Sequence, residues 1–245
     1  MSTWFRDAEP SPRMRLIALP YAGGGTVEYR QLRPLMPAGI ALDPAVLPAR
    51  ESRLSEPPIA DLRVLANALV DAVSPLIRRT PYVLYGHSMG GWVAFELVRA
   101  LRRLNRPLPE HLVIGARRAP HLASTRPLLY QLPDELFLDA IQERYGGIPK
   151  ALRDNPGLLR LFLPALRADF TLLDTYQYTE EAPLPMPITV LAGTEDPTTS
   201  MREQRAWRQH TDAAFRLRPV AGGHFFIKDA REETAEVLSA ILQRR

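Results

Sequence analysis

The chain has 245 residues, 46% of them apolar and 24% charged, and a net charge of +4. That composition suits a globular protein with a sizeable core, and it excludes a disordered or fibrous chain. There is no Cys, which rules out disulfides, thiolate metal sites and a cysteine nucleophile and fits a cytoplasmic location. The basic residues, nearly all arginine, are scattered and form no block with interleaved aromatics, so no nucleic-acid partner is expected. No apolar run reaches membrane-spanning length, and "MSTWFRDAEPSPRMR" has no apolar signal core, so no membrane association is expected either.

Short apolar runs with strand character recur along the chain: 14–20, 43–48, 81–86, 111–116, 187–193 and 215–220. Most are nearly continuous, as in strands covered on both faces of a parallel sheet. Amphipathic helical patterns lie between them. Over 59–77, Leu62, Leu65, Ala66, Leu69, Val73 and Leu76 share one face. Over 90–104, Val93, Leu97, Leu101 and Leu104 do so, and a further helix covers 231–243. Strands alternating with helices predict a single α/β domain over residues 1–245 with a mostly parallel sheet. Residues 120–186 interrupt the alternation. They hold helical patterns at 133–147 and 156–176 and no strand, which predicts a helical lid inserted between two strands.

An early strand pattern runs into "PYAGGG", and a glycine-rich strand-to-helix turn is a common phosphate cradle. The details argue against one here. Glu28 stands where a dinucleotide fingerprint needs glycine, and no Gly-Lys-Ser/Thr follows.

The stronger signal is Gly86-His87-Ser88-Met89-Gly90, a G-x-S-x-G between a strand pattern and a helix pattern. In that context Ser88 is the expected nucleophile on a sharp turn. His87 is its neighbour along a strand, points to the opposite face, and reads as a packing residue. A serine needs a base, and the base needs an orienting carboxylate. Of five histidines, His224 in "AGGHFF" is the one beyond the last strand pattern, so it is the expected base. The strand at 111–116 is followed by no carboxylate, whereas 187–193 is followed by Glu195 and Asp196. Asp196, fixed ahead of Pro197, is the preferred acid, with Glu195 as the alternative.

Taken together, "LPYAGGG", "RESRLSEPP", "GHSMGGWVAFELVRAL", "RRAP", "GGIP", "LPALRADFTLLDTYQY" and "GGHFFI" resemble the type II thioesterases of polyketide and nonribosomal peptide synthesis, in that family's order. One departure is Ala49 in "LPARE", where the family usually has glycine. The resemblance implies an α/β-hydrolase fold and hydrolysis of acyl thioesters from the phosphopantetheine arms of acyl or peptidyl carrier proteins. It implies no metal and no cofactor beyond the arm that the substrate carries. Ala22 and Met89 become the expected backbone donors of the oxyanion hole. Leu159, Phe162, Leu163 and Phe170 of the lid become candidate pocket residues, and a monomer is the default. A general carboxylesterase or lipase, an acyltransferase of the same fold and a non-catalytic carrier-binding protein are the competing readings.

Overall fold

The computed structural model describes residues 3–5, 11–123, 126–148 and 150–243. Six strands, β1 (Met14–Leu19), β2 (Ile40–Pro44), β3 (Tyr82–His87), β4 (His111–Gly115), β5 (Ile188–Gly193) and β6 (Phe215–Val220), pair in parallel in the order β2-β1-β3-β4-β5-β6. The helices are α1 (Val27–Leu32), α2 (Leu62–Ile77), α3 (Met89–Arg103), α4 (Asp134–Tyr145), α5 (Lys150–Arg153), α6 (Pro156–Thr175), α7 (Met201–Arg205), α8 (Phe226–Asp229) and α9 (Arg231–Leu242).

Alternation along the strands divides the core. Ile17, Leu19, Leu84, Ile114 and Val190 face α2 and α3. Leu16, Ala18, Val83, Val113 and Leu191 face α1 and α9. Both faces are covered, which is why these strands read as continuous apolar runs rather than alternating ones.

Three expectations need correction. The second strand is Ile40–Pro44, not 43–48. Its ladder on β1 ends at Ala18 opposite Pro44, and the Val46 N–H then donates to the Trp4 carbonyl. Ala45, Val46 and Leu47 are therefore apolar because they are buried, not because they continue the strand. Leu104 caps α3 and is 56% exposed, so it is not part of that helix's buried face. At the start of α2, Asp61 is the N-cap and its carboxylate accepts from Val64 N–H, so the helix begins after the predicted position 59.

Between β4 and β5 lie α4, α5 and α6, with an apolar cluster of their own: Leu129, Phe137, Leu138, Ile141, Ile148, Leu166 and Phe170. The C-terminal half of α6 is different. Leu172 is fully buried in the body core, and the Tyr176 hydroxyl donates to Glu96 on α3. His210 is buried among Phe95, Tyr178 and Trp207 and pairs with His121.

Candidate active site

The strand order reverses between β1 and β3. In an open parallel sheet that reversal leaves a crevice at the carboxyl ends of the two strands. Leu19 is in register with Gly86, so the segment after β1 and the segment after β3 leave the sheet side by side.

Ser88 sits in the crevice, between β3 and α3, with φ 51° and ψ −112°. This is a strained conformation for a residue with a side chain, and close packing of backbone enforces it. A Cβ on Gly86 would lie 2.0 Å from the Gly90 carbonyl oxygen, and a Cβ on Gly90 would lie 2.2 Å from the Leu19 carbonyl oxygen. Only glycine at both positions lets α3 start this close to β1 and β3. The Ser88 N–H donates to the Gly115 carbonyl at 2.7 Å, which fixes the turn from the β4 side.

The segments after β5 and β6 bring two more groups to the same point. His224 Nε2 lies 2.8 Å from Ser88 Oγ, and His224 Nδ1 lies 2.9 Å from Asp196 Oδ2. The second Asp196 oxygen accepts from both the N–H and the hydroxyl of Thr198, and that hydroxyl is also 2.8 Å from His224 Nδ1. Burial opposes the charge on Asp196. Hydrogen bonding and charge from His224, together with the Thr198 bonds, outweigh burial and hold the carboxyl below its ordinary pKa. With Nδ1–H committed to a carboxylate, Nε2 is the free base that faces the serine hydroxyl. Glu195 is exposed and does not reach His224; its N–H pairs with the Gly222 carbonyl instead.

His87 is buried and does not bond Ser88. Its Nε2 is 2.8 Å from the His224 carbonyl, and its Nδ1 is 2.9 Å from the Tyr85 hydroxyl. A carbonyl only accepts, so Nε2 carries the proton and Nδ1 accepts from Tyr85. Burial, with a lesser contribution from His224, lowers the His87 pKa to about 3, so the ring stays neutral and tethers the His224 backbone.

The residues after β1 form a tight turn. Gly24 N–H donates to the Tyr21 carbonyl at 2.8 Å, and Gly23 has φ 71°. That places Ala22 at the first corner and glycine where the turn requires positive φ. Among the described residues, the N–H groups of Ala22 and Met89 have no acceptor in the protein. Met89 is the first residue of α3, where an N–H lacks a helical partner.

Two cavities meet at His224. One, of about 320 Å³, includes Ser88, Ala22, Gly23, Phe162, Leu166 and Phe170 and is largely apolar. The other, of about 400 Å³, is lined by Trp92, Arg117, Arg118, Tyr145, Tyr178 and Thr198. Arg117 stacks on Trp92, with its guanidinium carbon 3.5 Å from the ring centroid. Of the four lid candidates, Phe162 and Phe170 line the apolar cavity. Leu159 and Leu163 do not: they pack partly buried against the lid's own core, and Leu166 and Leu173 take the wall positions. On a helix that covers a pocket, the lining follows from rotation about the axis, which composition does not reveal.

Several residues at the site were not singled out from sequence. Thr198 is one. Arg50, Glu51 and Asp169 are others: all three bond the turn after β1. Their signal in the sequence is the charge within "RESRLSEPP" and "LPALRADFTLLDTYQY", which names no partner.

Residues 14–242 match the model of the thioesterase domain. The chain belongs to the thioesterase family. Thioesterase PikA5 of Streptomyces venezuelae is 38% identical over 96% of this chain and 84% of its own length. A solved structure of YbtT, a type II thioesterase from the yersiniabactin NRPS/PKS biosynthetic pathway, superposes with a TM-score of 0.85 at 30% identity. It covers 99% of this chain and 97% of the other. The fold is thus that of the α/β-hydrolase thioesterases, and the chain is a thioesterase akin to those of polyketide and nonribosomal peptide pathways. A third relative, LgrE of Brevibacillus parabrevis, is 38% identical over 93% of this chain and 87% of its own length, and is named a linear gramicidin dehydrogenase. In the present thioesterase the Glu51 carboxylate already occupies the start of α1, accepting from the N–H and hydroxyl of Thr26. A dinucleotide phosphate would meet a fixed negative charge there. Among the described residues, no helix is long and apolar enough to cross a membrane.

Proposed function

We propose that this thioesterase hydrolyses acyl groups held as thioesters on the phosphopantetheine arms of acyl or peptidyl carrier proteins. The observation that carries the reading is the contiguous line Ser88 Oγ, His224 Nε2, His224 Nδ1, Asp196 Oδ2, with separations of 2.8 and 2.9 Å, at the mouth of an apolar cavity.

The steps follow from the geometry. Ser88 Oγ attacks the thioester carbonyl carbon while its proton passes to His224 Nε2. Asp196 stabilises the imidazolium through Nδ1–H. The carbonyl oxygen, now an anion, is received by the N–H groups of Ala22 and Met89. Collapse breaks the C–S bond, and His224 returns the proton to the leaving thiolate. Water, deprotonated by His224, then attacks the acyl-enzyme. The C–Oγ bond breaks, the proton returns to Ser88, and a free acid leaves.

The two cavities divide the substrate. The apolar one suits the acyl chain, and the one lined by Arg117, Arg118 and Thr198 suits an arm with two amides and a phosphate. Similarity to thioesterases of NRPS/PKS pathways supports the carrier-bound substrate. The test is release of acid from an acyl-loaded carrier protein compared with a simple oxygen ester of the same acyl group. Faster turnover of the carrier thioester, abolished by Ser88→Ala in a folded protein, is the expected result. Equal or better use of the oxygen ester would point to a general esterase. An ester or amide product would point to an acyltransferase.

A further inference from the structure

The turn after β1 is held from two sides. From below, Arg50 donates to the Gly24 carbonyl at 3.1 Å, and Glu51 takes the N–H and hydroxyl of Thr26. From above comes a residue of the lid. Asp169, on α6 and buried, accepts the Gly23 N–H at 2.8 Å and forms a two-pronged pair with Arg50 at 2.9 and 2.8 Å. One carboxylate therefore joins three elements: the lid helix, the Arg50 segment and the turn that carries Ala22. The fit is close. A Cβ on Gly23 would lie 2.8 Å from both Leu166 and Phe162 of the same helix.

The residue next to Gly23 is Ala22, whose N–H has no acceptor in the protein among the described residues. A turn that exposes one N–H to an oxyanion must keep its neighbours from rotating, and Asp169 fixes the next N–H along the chain. If α6 lifts, Gly23 loses its acceptor and Arg50, half-buried, loses its counter-charge, an arrangement that disfavours partial opening. We propose that Asp169 is a positioning residue for the oxyanion hole, so that seating of the lid helix and assembly of the hole are one event. The thioesterase would then be competent only with α6 down on its substrate. This rests on the assignment of Ala22 as an oxyanion donor.

The experiment compares Asp169→Ala, Arg50→Ala and the double variant with a lid control, Arg167→Met. Arg167 ties α6 to Tyr130, Leu132 and Asp134 on the far side of the lid. Active sites are counted by fluorophosphonate titration, so that a misfolded fraction does not enter kcat. Asp169→Ala is expected to lower kcat by about ten- to a hundredfold, part of the loss seen when an oxyanion donor is removed, with KM within about threefold. Affinity for a phenylboronic acid, whose adduct on Ser88 puts a boron-bound oxygen in the hole, should fall by a similar factor. Arg50→Ala should behave alike, and the double variant should be no worse than the worse single. Hydrogen exchange of the 21–26 segment should quicken in Asp169→Ala, while Arg167→Met keeps wild-type kcat. A kcat and boronate affinity near wild type in Asp169→Ala, additive losses, or unchanged exchange would overturn the proposal. Ala22→Pro separates the two layers. It removes the N–H at a turn corner that proline suits. If it stays active, the oxyanion assignment itself fails. If it is crippled while Asp169→Ala is not, the coupling alone fails.

Discussion

The body and the lid of this thioesterase are held together by different means. In the body, each sheet face buries a continuous apolar cluster, and Ser88, Asp196 and His224 all stand on segments that leave strand ends. The lid has a small core of its own, and the N-terminal half of α6 exposes Leu158 and Leu161 to solvent. Only farther along does α6 plunge into the body, through Asp169, Leu172 and Tyr176. The contrast assigns separate tasks. The body sets the geometry of Ser88, Asp196 and His224. The lid supplies the apolar wall and, through Asp169, a brace on the turn after β1, and it is least held where it is farthest from the strand ends.

The sharpest way to break that division is to change one carboxylate on the body. Asp196→Asn should lower kcat by roughly 10⁴, because the neutral amide no longer stabilises the His224 imidazolium or fixes its tautomer. Glu195→Gln, one residue away but exposed, should leave kcat within about twofold. Steady-state kinetics on one acyl thioester decides it, and a reversal of the two effects would remove Asp196 from the site.

Next in size is a pair of glycines. Gly90→Ala puts a methyl 2.2 Å from the Leu19 carbonyl oxygen, where no flexible side chain can yield. A loss of about 3 kcal/mol or more is expected in urea unfolding, along with activity. Gly146 in the lid has open space around its Cβ position, and only its backbone, at φ 66° and ψ 160°, opposes a side chain. Gly146→Ala should cost about 2 kcal/mol, all of it backbone strain, and leave kcat near wild type. Comparable losses at the two sites would mean that lid and body are not held differently.

Sequence revealed the parts of this molecule that local backbone chemistry dictates. Ser88 announces itself because a strand, two glycines and a helix must follow one another to make its turn. Asp196 and His224 are legible because each follows a strand pattern in the order the fold requires. Asp169 and Arg50 are not, since their partners lie at distances in sequence set only by tertiary packing: Asp169 is 119 residues from Arg50. The second strand lies earlier than its apolar run for a related reason. Burial beneath Trp4 gives Ala45–Leu47 the same apolar character as a strand, and only the ladder to β1 tells them apart.

A smaller effect comes from two histidines buried in the body. Burial, with a lesser contribution from His224, lowers His87 to about 3, and burial, with lesser contributions from His121 and Arg99, lowers His210 to about 4. Both rings are neutral in the folded state at pH values where the unfolded chain, with pKa about 6.5, binds a proton. The unfolded state then binds more protons, so stability rises with pH across this range and is lost as pH falls from about 6.5 toward 4. Each ring contributes a slope of up to about 1.4 kcal/mol per pH unit. Unfolding midpoints measured from pH 7 to 4.5 should therefore drop for the whole molecule, and His210→Gln should flatten the slope without changing kcat at pH 7. An unchanged slope would show that His210 is charged when folded.

The smallest expected effect concerns Ala49, whose φ is 62°. Glu51, two residues on, also has a positive φ, of 48°. The segment is bent this way because it must present Arg50 to Gly24 and Asp169, and Glu51 to Thr26, from a single short turn. Alanine adopts the left-handed region at a cost that glycine avoids. Glycine in turn loses more freedom on folding, which offsets part of the gain. Ala49→Gly should therefore stabilise the protein by up to about 1 kcal/mol in urea unfolding, with kcat unchanged if the Arg50 and Glu51 contacts are already fully made. A fall in kcat without a fall in stability would mean that the methyl of Ala49, which is buried, holds the clasp on the Ala22 turn. The strain would then be part of the site, and the boundary between body and lid would run through residue 49.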